Sequence, residues 1–260
     1  MRALLDRLPP LALGLAALAA WEAAVRGFQV PHYVLPGPLL IAETLWRDAG
    51  LLFGSLWVTL RITAAALCAA AVGGAGLALA MAQSRGLERA LFPYAVIAQV
   101  TPVVAVAPLI IIWVDNAFAA LVLCALIVAF FPVLANTMAG LKSADRNLAD
   151  LFRLYDATPW QALRFLRIPT AMPYFLAGLR ISGGLALVGA VVAEFVAGTG
   201  GAQTGLAYRI LESGYRLQIP RLFAALLLLS AAGIAIFAAL NALSNRLLRH
   251  WHESAEGPRR

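Results

Sequence analysis

Charge is scarce in this 260-residue chain: Asp, Glu, Lys and Arg make up 13% of it, against 62% hydrophobic residues. A soluble domain of this length needs far more polar surface, so a water-soluble globular class is excluded. Cysteine is nearly absent. Cys68 and Cys124 both lie in apolar runs and read as small buried hydrophobes, not as a disulfide or metal ligands. The three histidines are dispersed, His32 in a loop and His250 and His252 in the tail, so no metal site is expected. No convergent nucleophile, base or metal set occurs within the apolar runs, which argues against a membrane-embedded enzyme. A Gly-x-x-x-x-Gly-Lys-[Ser/Thr] phosphate loop is also missing, so any ATP must be bound on another chain.

What the chain does have is long apolar sequence, with a mean hydropathy of +0.83. A bilayer core takes about 20 apolar residues per helix, because unpaired backbone groups are too costly in lipid. Six runs meet or approach this: about 8–25, 54–82, 91–113, 117–138, 178–198 and 222–245. The expected fold is all-α, a polytopic membrane bundle of about six spans forming one transmembrane domain over 1–260. The first run is the weakest. It follows Arg2 and Arg7, contains Glu22, and has a signal peptide as its alternative reading.

Lys and Arg set the orientation. With the N-terminus cytoplasmic, thirteen of the twenty basic residues fall inside and five outside, while Arg61 and Arg180 lie near helix ends and can snorkel. Both termini and the polar segment 142–169 are then cytoplasmic, and 26–50 and 198–220 are outer loops. The net charge of +7 is largely topological. Its basic residues are spread over short loops rather than one patch, which excludes a nucleic-acid partner. Of the outer loops, Pro31–Pro38 is too proline-rich for a helix, and 39–46 is expected as a short amphipathic one. The 198–220 loop opens Gly-Thr-Gly-Gly and repeats Leu206, Ile210 and Leu211 at helical spacing, so a surface helix and a simple connector are both open.

The segment from Lys142 to Pro169 is the polar interruption of this apolar chain. Leu148, Leu151, Phe152 and Tyr155 follow an i, i+3, i+4, i+7 pattern, which predicts a short amphipathic helix. Thr158-Pro159-Trp160-Gln161 is a capping box with proline at the first helical position, so a second helix starts at Pro159. It is expected to stop at Ile168, before Pro169. Such a helix either lies on anionic lipid or fits a groove of a peripheral protein.

The stretch Asp150 to Pro169, DLFRLYDATPWQALRFLRIP, resembles the EAA loop of the permease subunits of bacterial ABC importers. The family pattern is Glu-Ala-Ala, three residues, Gly, nine residues, Ile, one residue, Leu-Pro. Asp150 stands at the acidic position, while Leu151 and Phe152 replace the alanines and Asp156 replaces the glycine. Aspartate tolerates a left-handed turn better than most residues, so the bend is expected to survive. The resemblance extends along the chain through Leu35-Pro36-Gly37-Pro38, Thr59-Leu60-Arg61, residues 176–182 and Val192-Ala193-Glu194-Phe195. Residues 176–182 and 192–195 are similar to the subgroup importing nitrate, sulfonates, taurine and related small nutrients, some of whose relatives carry thiamine-precursor pyrimidines.

The resemblance implies a type I importer permease of the bacterial inner membrane. Two copies form the path, and two ATPase subunits hold ATP and Mg. A periplasmic or lipid-anchored binding protein delivers substrate. Asp150, Phe152, Asp156, Ala157, Thr158, Trp160, Arg164 and Pro169 are the implied ATPase-coupling residues. Within the spans, polar residues are costly in lipid and normally face the interior, so Gln99, Thr101, Asn136, Ser182 and Glu194 are candidate path residues, with interhelical bonding as the competing role. Gly73, Gly74, Gly76, Gly183, Gly184 and Gly189 are expected at close helix contacts. A stand-alone secondary transporter is the alternative class; no internal repeat of the usual kind supports it.

Overall fold

Apolar sequence at helical spacing, punctuated by side chains that cap helix starts, folds this chain into helices, and no strand occurs among the described residues, 8–198 and 204–248, of this computed structural model. In chain order they are α1 (Leu8–Gly27), α2 (Pro38–Arg47), α3 (Ala49–Gln83), α4 (Arg85–Val100), α5 (Val103–Trp113), α6 (Ala117–Lys142), α7 (Arg146–Leu154), α8 (Pro159–Ala197), α9 (Leu206–Tyr215) and α10 (Ile219–Leu248). Local chemistry marks the boundaries. Ser84 accepts from the Leu87 N–H at 3.3 Å and Asn116 from the Ala119 N–H at 3.0 Å, each satisfying an orphan donor of the helix it starts.

Among the described residues α3, α6, α8 and α10 are long and apolar enough to cross a membrane, and α4 with α5, which meet at a bend of 102°, make a fifth if the pair is one span. The first run forms the 20-residue α1, about 30 Å long and comparable to a bilayer core. The expected third span is therefore broken, and the break sits at Pro102 alone. Thr101, as the residue before a proline, is pushed to extended backbone (φ −68°, ψ 122°). Pro93 and Pro108 lie inside continuous helices instead of ending them. The chain termini that carry much of the orientation signal, including Arg2, Arg7, Arg249, Arg259 and Arg260, lie outside the described residues, as do 199–203 of the glycine-rich outer loop.

One expectation is overturned at Pro169. The helix beginning at Pro159 does not stop there but runs to Ala197, so the expected coupling helix and the expected fifth span are one element of 39 residues. Residues Leu163–Arg167 form a π turn, in which the Ile168 N–H reaches the Leu163 carbonyl five residues back. The widened turn shifts the bonding register just before Pro169, where an α-helix would meet both a missing donor and a ring clash. Arg180 is consequently well inside a helix rather than near its end, and its Nη1 donates to Asn241 Oδ1 at 3.0 Å.

The chain divides into two compact units, one comprising Met1–Val58 with Thr199–Ala231, the other Thr59–Gly198 with Ala232–Arg260. In the second unit α6 and α8 run antiparallel at very short range. A Cβ on Gly178 would stand 2.6 Å from the Pro132 carbonyl oxygen, one on Gly189 2.8 Å from the Ala125 Cα, and one on Gly140 2.8 Å from the Ala171 Cα. Without a hydrophobic drive in lipid, such small-residue contacts hold helices through close packing. Of the glycines expected at contacts, Gly74, Gly183 and Gly189 are tight and Gly73 touches Phe130, but Gly76 and Gly184 face open space; Gly140 and Gly178 take up that role instead.

In the first unit Ile41, Leu52, Leu206, Ile210, Ala224, Ala225 and Leu228 form a buried cluster, so the segment after residue 203 contains a packed helix, α9. Around it the outer basic residues are paired. Arg209 donates to Glu212 at 2.8 Å and to Ser55 Oγ at 3.2 Å, Arg216 lies 3.0 Å from Glu212, and Arg221 bonds Asp48 at 2.6 Å.

Two tests follow from these contacts. Gly178→Ala should lower stability by about 1–3 kcal/mol through overpacking against backbone, whereas Gly184→Ala should be neutral or stabilising by about 0.4–1 kcal/mol; thermal unfolding in detergent compares them. The Arg209 hydrogen bond, opposed by partial burial, holds the Glu212 carboxyl below its ordinary value of 4.5. A depressed folded value means stability that is present above 4.5 and lost as pH falls through the folded value. Glu212→Gln should flatten that acid limb of the melting temperature.

Candidate coupling site

The elbow between α6 and α8 is built by consecutive caps. α6 ends at Lys142, and Asp145 starts α7 by accepting from the N–H groups of Asn147 (2.7 Å) and Leu148 (3.3 Å). After α7 the chain turns at Asp156, whose φ of +51° is the left-handed conformation expected at the family's glycine position. Thr158 then opens α8. Its N–H donates to Gln161 Oε1 at 2.7 Å, and the Gln161 N–H donates back to Thr158 Oγ1 at 3.3 Å, completing the capping box with Pro159 at the first helical position.

The elbow divides its apolar side chains between two sides. Leu163 and Leu166 point inward and are buried, with Leu163 packed among Met81, Leu134, Met138, Leu141 and Ala171. Outward stand Leu154 (81% exposed), Tyr155 (80%), Trp160 (62%) and Phe165 (63%). Between α7 and α8 a shallow groove of about 390 Å³ is lined by Leu151, Phe152, Tyr155, Ala157, Gln161 and Phe165. Arg164 lies over the Phe165 ring at 5.5 Å, and Asp150 pairs with Arg153 at 2.9 Å on the exposed face of α7. That exposed pair adds little to stability. A rigid elbow with a ring of outward aromatics is a surface made to be covered. Leu154 was not singled out in the sequence, since it lies outside the i, i+3, i+4, i+7 stripe; only its neighbourhood to Tyr155 and the turn hints at it.

The candidate path residues do not form one site. Ser182 is fully buried and donates to the Ala129 carbonyl of α6 at 2.6 Å, and Asn136 donates to the Pro132 carbonyl at 2.8 Å. Both stand on the α6–α8 contact. Thr101 spends its hydroxyl on the Ile97 carbonyl at 2.7 Å, capping the end of α4, and Gln99 is exposed beside it. Glu194 is buried (3% exposed), twelve residues and about 18 Å along α8 from Ser182. Among the buried polar side chains not proposed as path residues are Thr59 and Thr63 on α3, the latter donating to the Thr59 carbonyl at 2.9 Å. Among the described residues no three His, Cys, Asp or Glu come together as metal ligands.

These helices define a multi-pass membrane protein, and comparison with known proteins sharpens the class. Residues 70–253 match the family described as binding-protein-dependent transport system inner membrane component, and the chain belongs to that family. It is a transport subunit of the bacterial inner membrane. It is 37% identical over 239 residues to a riboflavin transport system permease protein of Chloroflexus aurantiacus, covering 91% of this chain and 87% of that one. It is 36% identical over 242 residues to a formylaminopyrimidine transport permease protein of Halalkalibacterium halodurans, covering 93% and 95%. A putative aliphatic sulfonates transport permease of Bacillus subtilis is 29% identical over 249 residues, covering 95% and 88%, which supports the sulfonate and taurine subgroup. A crystal structure of an amino acid ABC transporter shares the fold, with a TM-score of 0.65 at 20% identity over 78% of this chain and 97% of that one.

The capping box is open to direct test. Thr158→Ala should lower stability by about 1 kcal/mol and loosen the elbow, while Thr158→Ser should retain the cap; hydrogen exchange at the amides of 160–162 distinguishes the two.

Proposed function

We propose that this chain is the translocating permease of an ATP-driven importer and that the α7–α8 elbow docks it onto a separate ATPase. The observation that carries this reading is the continuity of α8: the groove-lining Gln161 and Phe165 stand on the same unbroken helix that crosses the membrane to Ala197. A push on the elbow is then delivered along the span without a hinge. Closing of two ATPase subunits around ATP would draw two docked elbows together and favour an outward-open path, and hydrolysis would release it, a shift between two populations of the same bundle. A second copy of the chain and a periplasmic or lipid-anchored binding protein complete the importer, as in its family.

The substrate proposed is a small nutrient, and a nitrogen-containing ring compound is favoured over a sulfonate or taurine. Support comes from the two relatives above, whose names specify a formylaminopyrimidine and riboflavin at 36–37% identity, against 29% for the sulfonate permease. The chain's basic balance does not bear on an anionic substrate, since most of it is topological.

Trp160→Asp should leave membrane insertion intact yet weaken ATPase association about thirty-fold, the loss typical of an interface hot spot of about 2 kcal/mol. Affinity purification of the tagged chain in mild detergent should recover an ATPase subunit with wild type and little with the variant. Reproducible purification of wild type alone would replace the importer reading with a stand-alone secondary carrier.

A further inference from the structure

Four basic residues that are scattered in sequence converge on one concavity. Arg85, Arg89, Lys142 and Arg167 line a cavity of about 570 Å³ whose floor includes Met81 and Leu141, both almost fully buried. The cavity's lining has one acid, Glu88, and its carboxylate is bound to Lys142. Arg85, Arg89 and Arg167 have no ion-pair or hydrogen-bond partner among the described residues. The N-terminus of the 16-residue α4, capped by Ser84, opens at the same place and adds its own partial positive charge. Topological placement of basic residues requires only that they lie on the cytoplasmic side; it does not require them to share a pocket.

We propose that this cavity binds the phosphate of an anionic phospholipid headgroup. Its level favours lipid as the source. α3 ends at Gln83, α4 begins at Arg85 and α6 ends at Lys142, so the cavity lies where the spans leave the apolar layer, with apolar side chains below and guanidinium groups above. That arrangement matches a headgroup on an acyl chain, and forked guanidinium donors suit phosphate oxygens. A bound headgroup would tie the starts of α4 and α7 to the π-turn residue Arg167, so the lipid would brace the base of the elbow.

The test is native mass spectrometry of the full chain in detergent, titrated with dioleoylphosphatidylglycerol or dioleoylphosphatidylcholine, a readout independent of transport and of any ATPase. Wild type should retain phosphatidylglycerol selectively. Loss should be about five-fold for Arg167→Gln and about twenty-five-fold for Arg85→Gln with Arg89→Gln. Arg85→Lys, which keeps the charge, should retain most of the binding, separating loss of the site from loss of the fold. Arg146→Gln with Arg246→Gln removes the same charge outside the cavity and should have little effect. Displacement of the lipid by inorganic phosphate would identify a soluble phosphate as the ligand of the same site. Equal binding of the two lipids, or equal loss in the Arg146 and Arg246 control, would overturn the proposal. So would release of the lipid on ATPase addition with Arg85 and Arg89 then required for the ATPase, since the cavity would be receiving an acidic protein surface.

Discussion

A helix that continues past a proline must still pair its backbone donors and acceptors, and the passage of α8 past Pro169, at the polar end of its span, is where this chain meets that constraint at the elbow. A proline at that point removes a donor and crowds a carbonyl, and the ordinary outcome is a broken helix. Here the π turn over Leu163–Arg167 takes up the irregularity before the proline arrives. The elbow and the span thus become one continuous element. Had the helix ended at Ile168, the outward aromatics would sit on a hinged flap, and displacement of the elbow would be absorbed by the joint. The contrast with Pro102 is instructive, because there no such turn precedes the proline and the helix breaks with a bend of 102°.

Along its length α8 is held by α6. The antiparallel contact places Gly140, Gly178 and Gly189 directly against backbone, and Ser182 adds a hydrogen bond to the Ala129 carbonyl. These polar and small residues serve the same end: with no room for a Cβ, the two backbones come within reach of side chain-to-carbonyl bonding. Ser182 and Asn136 therefore read first as parts of the helix contact. The buried Glu194, far along α8 from both, stands apart from that contact.

Basic residues serve different ends in the two units. In the first unit Arg209 joins α9 to Ser55 of α3 and Arg221 joins α10 to Asp48 just before α3, while Arg209 and Arg216 both pair with Glu212 within α9 and its C-terminal end. In the second unit Arg85, Arg89 and Arg167 converge on one cavity whose lining holds a single acid, Glu88. The same residue type is spent on packing in one place and left available for an anion in the other.

Local chemistry in the sequence determined much of this protein: the membrane class, the apolar runs, the amphipathic α7, the capping box at Thr158 and the left-handed turn at Asp156 are each set by a few neighbouring residues. The family pattern around 150–169 was legible for the same reason, since that elbow is a contiguous piece of chain. Only the tertiary structure decided that Pro169 lies inside a helix, that Gly140 and Gly178 but not Gly76 and Gly184 meet a neighbour, and that Arg85, Arg89, Lys142 and Arg167 face one cavity. Those outcomes depend on the rotation and depth of one helix against another. That register is chosen by packing over the whole length of the contact, and no short stretch of sequence contains it.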